Sequence, residues 1–159
     1  MNSTQNAALR DHVDYLLSAG GAHADFLTAV SKISLEMANR RHEKLPYTIW
    51  QVLEHMRIAQ WDILEFSRNP DHQSPVFPDG YWPPANVVAD QLAWTTTIDQ
   101  FLSDLAAMRR LVSDPETDLL KQIPHGEGQT VLREALLVAD HNAYHLGALA
   151  VMKRLFLQE

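Results

Sequence analysis

Two histidines, His141 and His145, stand four residues apart in the segment Asp140-His141-Asn142-Ala143-Tyr144-His145-Leu146-Gly147, which reads as helix on both sides. On a helix that spacing puts two side chains on one face, with Cβ atoms about 5–6 Å apart. One divalent ion can then be bound by both rings. A third histidine, His55, falls in the middle of a second helical stretch, Leu53-Glu54-His55-Met56-Arg57. If the two helices pack together, three neutral nitrogens converge and leave coordination positions open, which is how catalytic zinc sites are built. Glu does not follow His141, so the His-Glu-x-x-His signature of zinc proteases is absent. Spacing alone also allows three core histidines with ordinary hydrogen-bond partners.

The elements that must position these rings are helical throughout. No alternating strand pattern of useful length, internal repeat or low-complexity segment is present. A first apolar-periodic stretch runs from about Ala7 to Ile33, with Gly20-Gly21 placed to break or kink it. A second begins after Pro46, where Thr48 and Gln51 have the spacing of a capping box. Its stripe is Ile49, Val52, Leu53, Met56, Ala59, Ile63 and Phe66. A third is expected from Pro84, a good first helical residue, carrying Trp94, Ile98, Phe101, Leu105, Met108 and Val112. The fourth follows Thr130, its expected N-cap, and runs nearly to the end. Four such helices imply an all-α four-helix bundle in a single domain spanning residues 1–159. Between the second and third helices, residues 69–84 hold five of the eight prolines and the aromatics Phe77, Tyr81 and Trp82. We expect this connection to cap one end of the core, its aromatics packed on the bundle, with a place beside a pocket as the alternative.

At about 100° per residue, the fourth helix carries one stripe of Leu132, Ala135, Leu136, Ala139, Ala143, Leu146 and Ala150. His141 and His145 lie roughly opposite, among Leu137, Val138, Ala148, Leu149, Met152 and Phe156. A helix apolar on two sides is central or meets a second subunit, and imidazoles in such surroundings need partners. Asp62 shares a side of the second helix with His55 and is a candidate to orient an imidazole or a bound water, although the expected role is a surface or interhelical hydrogen bond and not direct metal ligation. Asp62, Tyr144 and Glu54 are the candidates for a catalytic base, although Glu54 points about 100° away from His55. His12, His23, His42 and His72 have no partner at helical spacing and are expected in water, and His125 sits in a turn.

Composition narrows the function classes. The chain has 159 residues, 46% hydrophobic and 21% charged, and its net charge of −7 without a basic cluster argues against nucleic-acid binding. With no cysteine, disulfides, thiolate ligands and a cysteine nucleophile are excluded. The polar start and the lack of a long apolar run predict a soluble, cytoplasmic protein with no membrane span.

Residues 45–62, Leu45-Pro46-Tyr47-Thr48-Ile49-Trp50-Gln51-Val52-Leu53-Glu54-His55 and onward to Asp62, resemble the second-helix motif of the DinB-like (YfiT-like) superfamily of metal-dependent enzymes. Residues 130–147 resemble its last helix, and Tyr81-Trp82-Pro83 fits one branch. The resemblance implies a four-helix bundle, commonly a homodimer, with nickel or zinc held by His55, His141 and His145. It implies a metal-dependent thiol S-transferase or hydrolase acting on a small molecule, since characterised relatives use the metal to activate a low-molecular-weight thiol, as in bacillithiol S-transferases and the mycothiol-dependent maleylpyruvate isomerase. A stress protein that binds a metal or small ligand without turnover is the alternative.

Overall fold

The computed structural model describes residues 2–19 and 21–158. Six α-helices and no strand occur among them: α1 (Ser3–Ala19), α2 (Phe26–Val30), α3 (Leu35–Asn39), α4 (Ile49–Arg68), α5 (Gln91–Ser113) and α6 (Val131–Leu157). The long four, α1, α4, α5 and α6, form the bundle. α4 packs on α5 and α6, and α1 packs on the same two, so α4 and α1 are diagonal.

The first predicted helix is two, α1 and α2, and a third short helix, α3, follows just beyond its predicted end at Ile33. α1 stops at Ala19, and Gly21 has a positive φ of 55°, a conformation glycine adopts without a Cβ penalty. Gly20, the other half of the predicted break, lies outside the described residues. Asp25 and Ser34 then each start a new short helix, their side chains accepting from Thr28 N and Met37 N. Leu16 and Leu27, two apolar residues of that stretch, are exposed.

The start of α4 follows the sequence reading: Thr48 and Gln51 form both bonds of the capping box. The predicted start of the third helix at Pro84 is seven residues early. Asp90 is the N-cap, its carboxylate accepting from Ala93 N at 2.7 Å, and Pro84 belongs to the connection. An acceptor side chain that satisfies an orphan N–H outweighs a favourable proline. Thr130 caps α6 as expected.

Helix register is set by buried polar groups that the apolar pattern hides. Gln60 is fully buried; its amide donates to the Phe101 carbonyl at 2.7 Å and accepts from Asn142 at 2.8 Å, joining α4, α5 and α6. On α6 the buried residues are Val131, Glu134, Ala135, Val138, Asn142, Leu146, Leu149, Met152 and Phe156, spaced by three and four apart from the adjacent Glu134 and Ala135. They form one seam that cuts across the two predicted faces, and Leu136 is left exposed. Asn142 lies in this seam between the two histidines.

Candidate metal centre

His55 is 9% exposed in the second turn of α4 and faces α6. Its Nε2 is 3.1 Å from His141 Nε2 and 3.2 Å from His145 Nε2. The ligand atoms of these three residues lie within 4.8 Å of one another. The expected convergence of α4 and α6 is therefore present, and the Gln60–Asn142 bond in the adjacent layer holds their register.

The protonation pattern follows from the contacts. His55 Nδ1 donates to the Tyr81 carbonyl at 2.8 Å, which leaves a lone pair on Nε2, directed at the other two rings. Burial holds His55 below its ordinary pKa, partly opposed by that carbonyl. His141 is pushed down to about 4 by burial and by the neighbouring His55. His145 is pushed down to about 4 by burial, then by His141 and His55. All three are neutral near pH 7, the form that ligates. Nitrogens bound to one ion at about 2.0–2.1 Å stand about 3 Å apart, which is the spacing found here. By donor type, charge state and separation, the three residues could hold a divalent ion.

One side of the site is aromatic. Trp82 lies flat on His55, ring centres 3.9 Å apart and planes 1° apart, and Tyr47 stacks on the far face of Trp82 at 3.9 Å. His145, Trp82 and Tyr47 continue into a groove of about 530 Å³, walled by Val52, Tyr144 and Met152 among others and by no charged side chain. Tyr144 is 74% exposed and meets His145 edge-on.

The other expected residues fall elsewhere. Asp62 touches none of the three imidazoles; it accepts from His72 Nε2 at 2.8 Å and from the Tyr81 hydroxyl at 2.6 Å. His72, expected in water, has a side chain only 6% exposed. Glu54 is turned to Arg57 and Thr97. His12 and His23 are exposed, His42 is half-buried near Phe156, and His125 binds the Phe66 carbonyl. Phe77, expected on the bundle, is 82% exposed. Sequence reasoning missed Tyr47 as a wall of the site and, for Trp82, favoured a cap over one end of the core above a place beside a pocket. The Tyr81-Trp82-Pro83 cluster was the visible signal, but which histidine it would cover depends on the path of the connection.

Comparison with known families settles the grouping: the family model of the DinB superfamily matches residues 20–149. The chain belongs to the DinB superfamily. A search of curated proteins and of solved structures gives no significant match. The match takes in all three histidines of this DinB-superfamily chain and the connection that covers His55. No helix among its described residues is long and apolar enough to cross a membrane.

Proposed function

We propose that His55, His141 and His145 bind nickel or zinc, and that the protein is a metal-dependent thiol S-transferase or hydrolase acting on a small molecule. The observation that carries this reading is the meeting of three neutral imidazoles, with the Nε2 atoms of His141 and His145 3.1 and 3.2 Å from that of His55, whose lone pair is fixed by a backbone acceptor. A dipositive ion on three neutral ligands would acidify a bound water or thiol and polarise a carbonyl. The chain's own part is to hold the rings neutral, to cover one face with Trp82, and to offer the uncharged groove beside His145 to an apolar electrophile. In the transfer reaction the thiol sulfur bonds to the electrophilic carbon as a leaving group departs and the thiol proton passes to solvent.

A second reading, a small-ligand binder without turnover, draws on the commitment of both nearby carboxylates: Asp62 is bound by His72 and Tyr81, and Glu54 by Arg57 and Thr97. Metal analysis of untagged protein comes first. We expect about one nickel or zinc per chain in wild type and loss in His55→Ala. Metal-dependent consumption of monobromobimane with a thiol panel, abolished in His141→Ala, supports the transferase. Bound metal without turnover of any electrophile or ester supports the binder, and failure to load any divalent ion sinks both metal readings.

A further inference from the structure

Asp62 lies two turns along α4 from His55, on the same face. The residue is 7% exposed and both carboxylate oxygens are used: Oδ1 by His72 Nε2 at 2.8 Å, Oδ2 by the Tyr81 hydroxyl at 2.6 Å. Both partners come from the connection between α4 and α5, whose only regular structure is one turn of 3-10 helix at Asp79–Tyr81. The far end of Tyr81, its backbone carbonyl, is the acceptor for His55 Nδ1, and the next residue is the Trp82 that covers His55. Tyr81 thus spans the two levels of α4, with its side chain on Asp62 and its backbone on His55.

We propose that Asp62, Tyr81 and His72 form a clamp that positions His55 for the metal; this rests on the metal reading above. An imidazole directs its Nε2 lone pair at a shared centre only while Nδ1 keeps the proton and the ring stays oriented. His55 is held so by a carbonyl in an irregular segment, and no strand pairing fixes that carbonyl. The O–H···carboxylate bond to Asp62 is of the strong, charge-assisted kind. His72 occupies the second oxygen, and the Trp61 ring meets it edge-on at 5.1 Å. By contrast, His141 Nδ1 is buried without a protein partner. Among these two ligands, then, it is His55 whose tautomer the fold sets. Asp62 acts through Tyr81 and is a positioning residue.

Tyr81→Phe is the sharpest test, because it removes the hydroxyl and leaves both ring and carbonyl. It is compared with Asp62→Ala, His72→Ala and His72→Gln, whose amide can still donate to Asp62. Cobalt(II) affinity and the visible absorption of the bound ion are read first. The tautomer of His55 is then read by nitrogen NMR in metal-free protein. We expect Tyr81→Phe and Asp62→Ala to bind cobalt about tenfold or more weakly, with a changed spectrum and a mixture of His55 tautomers. His72→Gln should stay closer to wild type than His72→Ala. Cobalt binding within about twofold of wild type together with an unchanged tautomer in Tyr81→Phe overturns the clamp, even if thermal stability falls. If wild type itself binds no cobalt, the metal reading fails on its own. The clamp is then judged by the tautomer in metal-free protein, where an unchanged Nδ1–H form overturns it. Should Asp62→Ala not fold, Tyr81→Phe decides.

Discussion

Acid should unfold the metal-free protein through its histidine cluster. His141 and His145 each take up a proton near 6.5 in the unfolded chain but only near about 4 in the folded one. Between those values the unfolded state binds more protons, so stability rises with pH across the window. The contribution is fully present above about pH 6.5 and lost as pH falls toward about 4. At 1.36 kcal/mol per unit the two drops would each be worth about 3 kcal/mol if the rings were wholly shielded. They are only partly buried, and screening at least halves this, leaving about 3 kcal/mol for the pair. His55 is shifted in the same direction and adds to the effect. Buried Asp104, with a raised carboxyl pKa, opposes it, since a carboxyl held above its usual value favours the folded state in acid. Urea unfolding with a chelator at about pH 7.5 and about pH 4.5 measures the loss. The control is the double variant His141→Gln/His145→Gln, in which Asp104 and all other groups are retained. Wild type should lose about 3 kcal/mol more than this variant over the window. An equal loss in both proteins would falsify the account, because the cluster would not then be carrying the proton linkage.

Three further outcomes follow from the geometry. Gln60→Leu strands the Phe101 carbonyl and the Asn142 amide in the core; about 2–4 kcal/mol should be lost, seen as a melting point lower by roughly 5–15 °C. Arg10 reaches from α1 to the carbonyls of Val112, Asp114 and Thr117 at 2.5, 2.8 and 2.6 Å. Arg10→Ala should therefore speed amide exchange at the end of α5, and Arg10→Lys should recover only part, since one ammonium lacks the fork. Trp82→Ala uncovers one face of His55, whose pKa is lowered mainly by burial, so its NMR titration should move up toward 6.5; an unmoved midpoint would mean that Trp82 does not shield the ring.

The residues that were legible in advance are those governed by local rules. Thr48 with Gln51 and Thr130 are caps whose partners lie three residues away, and the chain's own helices satisfy them. The spacing of His141 and His145 is likewise a property of one helix. Where a stronger local signal competed, the reading slipped, as when Asp90 rather than Pro84 began α5. Gly20-Gly21 marks a break in the first stretch, and Asp25 restarts a helix within it, while the short helix that Ser34 caps lies beyond its predicted end.

The fate of His72, Asp62 and Trp82 could not be read the same way. His72 looked solvated because nothing near it in sequence pairs with it, yet Asp62, ten residues back, binds it once the chain doubles over α4. Gln60 and Asn142 interrupt the apolar pattern and seem surface-like, but 82 residues apart in sequence they meet in the core. The sequence by itself determined that the chain is helical and which histidines share a helix face, because caps and periodicity act within a few residues. Only the tertiary structure decided that His55 meets them, that a tyrosine carbonyl sets its tautomer and that a tryptophan covers it. Those contacts depend on the relative placement of α4, α6 and an irregular connection, which no local propensity encodes.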